Sequence, residues 1–109
     1  MSESSLTIGV LGGMGPMATI DLLQRIIRLT PALDDVDHIR TLVDNNPKVP
    51  SRINYLINRQ GENPAPVLAS MAASLESMGA DFLVMPCNTA HLYAQEIESA
   101  VRIRFLNMV

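Results

Sequence analysis

Apolar and polar positions fall in blocks along this chain, and the block lengths predict an order of elements. Residues 6–11 form a short, largely apolar run, the mark of a buried strand, and Gly12, Gly13, Met14, Gly15 and Pro16 stop it. From residue 17 to 29 the apolar Met17, Ile20, Leu23 and Ile27 recur at helical spacing. Pro16 suits the first helical position, where a backbone N–H has no intrahelical partner to lose. Residues 38–43 predict a second strand, ended by the turn-rich residues 44–50. Residues 51–60 predict a short helix, broken at 61–64. A longer helix over 66–78 puts Leu68, Met71, Ala72, Leu75 and Met78 on one face, with Gly79 as its C-cap. Residues 81–86 predict the third strand. Residues 89–102 predict a further helix with Ala90, Tyr93, Ala94, Ile97 and Val101 inward, and 104–108 a fourth strand.

Apolar strands alternating with amphipathic helices imply an α/β fold, a three-layer αβα sandwich around a four-stranded parallel sheet. The 109 residues suffice for one small domain, expected over 6–109, with residues 1–5 as a disordered N-terminus. Apolar residues make up 48% and charged residues 17%, enough to fill a core and exclude disorder. The net charge is −3, no basic run occurs, and two Tyr, two Phe and no Trp offer little to stack on bases. Nucleic acid is excluded as a partner. No apolar stretch reaches the roughly 20 residues that cross a bilayer, which argues against a membrane. The N-terminus lacks the basic and apolar regions of a secretory signal. One cysteine cannot form an internal disulfide and suits a reducing cytoplasm, and with two histidines it argues against structural zinc.

Parallel sheets bind ligands at the carboxyl ends of their strands. Three unusual loops fall there. In the first, Gly13-x-Gly15-x-x-Ala18 formally matches a dinucleotide fingerprint. Pro16 removes a phosphate-cradling donor, however, and no acidic residue ends the second strand before Asp44. A tight turn that lets a small ligand approach the backbone is the favoured reading. The second loop supplies Asn45, Asn46, Lys48, Ser51 and Arg52. The Arg52 guanidinium can grip a carboxylate bidentately, although this loop alone would be read as carrying a solvated charge. The third loop holds Cys87, the only thiol, between Pro86 and Asn88. Just ahead of a helix, free N–H groups and the helix dipole favour thiolate, and Asn88 and Thr89 can cap or contact a ligand. His91 lies four residues on. If the helix runs through Cys87 the two share a face and form a Cys–His pair; if it starts later, His91 holds the loop.

Gly12-Gly-Met-Gly-Pro-Met-Ala-Thr19, Asn45-Asn-Pro-Lys-Val-Pro-Ser-Arg52 and Met85-Pro-Cys-Asn-Thr-Ala-His91 together resemble the aspartate/glutamate racemase family. Gly79-Ala-Asp81 and Phe105-Leu-Asn-Met108 are similar to it as well, so the likeness runs over nearly the whole chain from Ile8. The resemblance implies a Rossmann- or flavodoxin-like fold, one half of a pseudo-symmetric two-domain enzyme. It also implies racemisation of an acidic amino acid, aspartate first and glutamate next, with no cofactor: neither pyridoxal phosphate nor metal. Two cysteines flank the substrate Cα, one removing a proton and the other returning one to the opposite face. By resemblance Cys87 is the first of these and Arg52 holds a substrate carboxylate. Asn88, Thr89 and Ala90 contact the amino acid, Met14 lines the pocket, and Asn46 joins the substrate-binding set. In the family the second cysteine lies in a second domain, in a Gly-Cys-Thr-Glu-like motif that this chain lacks. The chain therefore resembles an N-terminal half, expected to be inactive alone and to associate as a homodimer or with a C-terminal half. Two other readings compete: a non-catalytic remnant that binds an acidic amino acid, and a nucleotide-binding domain.

Overall fold

Four short strands pair in parallel in the order β2-β1-β3-β4, where β1 is Ile8–Gly12, β2 Thr41–Asn45, β3 Phe82–Val84 and β4 Arg104–Phe105. The computed structural model describes residues 5–107. Residues 1–4 of the expected disordered N-terminus and Met108 of the expected fourth strand lie outside the described residues. The helices are α1 (Pro16–Leu29), α2 (Arg52–Leu56), α3 (Ala65–Ser77) and α4 (Ala94–Ala100), with 3-10 helices at Asp35–Asp37 and Thr89–Tyr93. The α/β fold with a parallel sheet is the one the alternation of blocks predicts.

β1 is buried at every position because it lies between β2 and β3 with helices on both faces. One face carries the main core, in which Leu11 and Leu83 meet Leu68, Met71, Ala72 and Leu75 of α3 and Ile97 of α4. On the other face Ile8, Val10 and Val84 pack against Leu22 and Ile26 of α1. These are the three layers. The crossover rule explains the unequal faces. A right-handed connection places its helix according to its direction of travel across the sheet, so the step from β1 to β2 puts α1 on one side. The steps towards β3 and β4 run the other way and put α3 and α4 opposite.

Element boundaries depart from the sequence pattern for local reasons. The first strand begins at Ile8 because the Thr7 N–H donates to the Asp81 carboxylate (2.7 Å), outside the ladder. The second strand starts late, at Thr41, since an Asp34-capped turn occupies the residues before His38. It runs on through Asp44 and Asn45, which pair with Leu11 and Gly12 although they read as turn residues. In α1 the inward residues are Thr19, Leu22 and Ile26, while Met17 is 74% and Ile27 57% exposed. The Thr19 hydroxyl accepts the Gly13 N–H at 2.9 Å and fixes that rotation of the helix. The inward face expected for α3 is observed except at Met78, which stands one residue past the last helical position.

Candidate functional site

The three loops singled out above follow β1, β2 and β3, which are adjacent in the sheet, so they meet along one edge. Chain travel reverses between β1 and β3, and ligands of open α/β sheets settle at such a reversal. The loops on either side of it are the Gly-rich turn and the Cys87 loop.

The Gly-rich turn packs against the chain itself. Gly13 has φ +98°, and a Cβ there would strike the Asn46 backbone. The Asn46 N–H donates to the Gly12 carbonyl at 3.0 Å, which ties the first loop to the second. With the Gly13 N–H engaged by Thr19, the close approach that glycine permits is filled by Asn46. This favours the tight-turn reading over a phosphate cradle. Met14 is buried in the main core, in one cluster with Val49 and Ala90.

In the second loop Asn46 braces the backbone: its Oδ1 accepts from the Lys48 N–H (2.9 Å) and its Nδ2 faces the Met71 sulfur at 3.6 Å. Ser51 caps α2 by accepting the Asn54 N–H at 3.1 Å, and this sets Arg52 at the first helical position. The half-buried Arg52 donates from Nη1 to the Pro50 carbonyl at 3.3 Å, while its Nε is buried without a partner among the described residues. Arg52 and Thr89 line one small cleft of 110 Å³ with Ile53, Leu56 and Leu92.

Thr89 connects that cleft to the thiol, since its Oγ1 lies 3.4 Å from the Cys87 sulfur. Cys87 is half-buried, Asn88 is exposed, and Ala90 is fully buried, so Ala90 offers a ligand only its backbone. The helix expected over 89–102 is a 3-10 helix over Thr89–Tyr93 followed by α4. His91 takes the second of the two roles left open above: its Nδ1–H donates to the Cys87 carbonyl at 2.6 Å and holds the loop.

The structure thus places Cys87 against Thr89 and Thr89 in a cleft with Arg52, buries Met14 and Ala90 in the main core, leaves Asn88 exposed and uses Asn46 as a brace. Tyr93 is the residue that reasoning on motifs passed over. It is buried, its hydroxyl has no partner among the described residues, and it lies close enough to Arg52 to sense the guanidinium charge. Burial holds its phenol above the usual tyrosine range, with Tyr55 and Glu96 adding and Arg52 opposing. The signal was present: an inward tyrosine in an amphipathic pattern needs a partner for its hydroxyl. A cleft of 790 Å³ lies at the opposite end of the strands near Thr7, Thr30, His38 and Arg40 and holds none of these groups.

Comparisons with known proteins identify the family and the fold. A family described as Asp/Glu/Hydantoin racemase matches residues 11–109. The broad specificity amino-acid racemase RacX of Bacillus subtilis is 33% identical over 106 residues, which are 94% of this chain and 45% of that protein. Among solved structures, Picrophilus torridus aspartate racemase superposes with a TM-score of 0.83 at 38% identity, over 94% of this chain and 43% of that one. An aspartate racemase homologue from Pyrococcus horikoshii OT3 shares the fold with a TM-score of 0.73 at 20% identity, over 93% of this chain and 44% of that one. The chain therefore spans less than half the length of the relatives it matches.

Proposed function

The chain belongs to the Asp/Glu/hydantoin racemase family, and on that premise we propose that it supplies one half of a cofactor-independent amino-acid racemase. What supports this reading is the Cys87 thiol standing 3.4 Å from the Thr89 hydroxyl beside the switch point of the sheet, with Thr89 and Arg52 lining one cleft. The substrate is an acidic amino acid, aspartate before glutamate, and the setting is the reducing cytoplasm. Arg52 holds a carboxylate through its planar fork. Asn88, Thr89 and the Ala90 backbone contact the amino acid, Met14 shapes the floor, and Asn46 braces the loop that carries Arg52.

A Cα–H is a very weak acid, so the charge that develops on its removal must be stabilised where it appears. The Cys87 thiolate takes the proton, and the electron pair left on Cα spreads into the carboxylate held by Arg52. A thiol on the opposite face gives its own proton to Cα and is left as thiolate, which completes inversion. This chain has one cysteine. The opposite thiol therefore comes from a second domain or a second chain, and this chain alone binds substrate without two-base turnover.

Calorimetry with aspartate on the chain is expected to show binding that weakens at least about tenfold in Arg52→Ala, as befits a lost charge-assisted bidentate contact. Aspartate is also expected to protect Cys87, the sole thiol, from iodoacetamide. Supplied with a second half carrying a thiol, the protein should exchange the aspartate α-hydrogen in D2O. Exchange that is equally fast in Cys87→Ser would refute the thiol's role.

A further inference from the structure

His91 holds the Cys87 loop, and its surroundings show what that hold does to the thiol. In an α-helix running on from Asn88, the Cys87 carbonyl would accept the backbone N–H of His91, four residues later. Here that carbonyl receives the His91 side chain instead, at 2.6 Å. The His91 N–H moves one residue forward and donates to the Asn88 carbonyl at 3.2 Å. A side chain that takes a backbone acceptor in this way competes directly with the helix ladder. The first turn after the thiol is consequently a 3-10 helix, and α begins only at Ala94. The imidazole is itself held, because its ring lies against Phe105 of β4 with centroids 5.5 Å apart and planes tilted by 32°. A rigid strand thus fixes a ring, the ring fixes the Cys87 carbonyl, and that peptide sets where the sulfur and Thr89 Oγ1 stand.

We infer that His91 is a positioning residue for the thiol: its Nδ1–H, braced by Phe105, holds the Cys87 peptide in the one orientation that presents the sulfur beside Thr89. This rests on the reading of the Cys87 loop as a substrate site. A carbonyl oxygen accepts only, so the bonded Nδ1 carries a proton and the ring offers that nitrogen to no other chemistry. His91 acts on the thiol through the backbone, with its Nδ1–H engaged by the Cys87 carbonyl.

Two substitutions separate donor from ring. His91→Phe keeps a ring against Phe105 and loses the donor. His91→Asn loses the ring and puts an amide N–H close to the place of Nδ1. Cys87 is the sole thiol, so its alkylation rate with iodoacetamide reads the loop directly in the chain as it stands. Loss of the hold is expected to raise that rate about fivefold in His91→Phe and to weaken protection by aspartate by a similar factor, the worth of one ordinary hydrogen bond. His91→Asn should return both to within about twofold of the unsubstituted protein. A residue that merely supported the fold would lower thermal stability without this split between the two variants. The inference is overturned if His91→Phe, folded by circular dichroism, alkylates and binds like the unsubstituted protein, or if a folded His91→Asn behaves like His91→Phe. Should His91→Phe not fold, His91→Asn decides alone, supporting the inference with both readouts near the unsubstituted values and overturning it otherwise. If aspartate protects none of the proteins, the amino-acid reading of the site fails while the alkylation rates still decide the role of His91.

Discussion

Gly13 is the side-chain position at which the site is most sensitive to a single atom. Its φ of +98° disfavours any Cβ, and the space a Cβ would fill belongs to the Asn46 backbone, which cannot swing aside as a side chain can. Gly61 has φ +80° with open space around it. Gly61→Ala is expected to cost only the backbone term, about 1 kcal/mol in urea denaturation. Gly13→Ala should cost more than about 2 kcal/mol and also weaken aspartate binding, because it displaces the loop that carries Arg52. Equal losses in the two variants would sink that account. Tyr93 makes the opposite case, a group buried with nothing to bond. Its neutral form is favoured in the folded state, so the stability this gives is full below the unfolded tyrosine value of about 10 and falls as pH rises past it. Tyr93→Phe should be at least as stable at neutral pH and lose less stability in alkali, read as the difference between the two denaturation curves. A parallel decline in both proteins would refute this. The placement of Cys87 and Thr89 just after the third strand was legible from the apolar run that precedes them, whereas Arg52, whose loop alone reads as carrying a solvated charge, was singled out only through the family resemblance. The bracing role of Asn46 was not, since it depends on a sulfur 25 residues away in α3.

The elements show the same division. Strands and helices were legible in order and kind because each one's apolar spacing meets a layer that needs it. Their ends were not legible, because ends are set by partners. Asp44 and Asn45 are drawn into β2 by Leu11 and Gly12, against their own preference for turns. The helix after Cys87 opens as 3-10 because one imidazole outcompetes one backbone N–H. The α4–β4 junction depends on α3: the Glu76 carboxylate accepts the Arg102 N–H at 2.7 Å and the Ile103 N–H at 3.1 Å. Without it those two donors would have only water, and the turn that delivers Phe105 to His91 would loosen. Glu76→Ala is expected to cost about 2 kcal/mol and Glu76→Gln, which keeps an acceptor oxygen, less than half of that. Indistinguishable denaturation midpoints for the two variants would refute a hydrogen-bonding role for Glu76.

Across the molecule the hand of the crossovers leaves the two sides of the sheet unequal. α3 and α4 share one face and enclose the main core, while α1 alone serves the other with a core of three buried residues. Phe82 and Leu106 on that side are only partly covered. The outer surface of α1 presents Met17, Ile20, Ile27 and Leu29 to solvent, next to the exposed Leu33 and Val36 that follow it. Scattered apolar residues are ordinary on a surface, but this many on one helix and the turn after it make a candidate contact surface. The same chain spans less than half of its relatives' length and carries one of the two thiols that the proposed chemistry needs. Association is therefore an expectation of the proposed chemistry, which needs a second thiol. Sedimentation of the chain alone is expected to show a mass that rises with concentration above the monomer value of 11.9 kDa. Paired substitutions Ile20→Glu and Ile27→Glu should return it towards that value, because a charge at each position makes desolvation of the helix surface costly. They should leave the alkylation rate of Cys87 unchanged, since α1 faces away from α3 and α4 and takes no part in the thiol loop. A chain that stays monomeric at every concentration would show that the α1 surface is tolerated in water and is no contact at all.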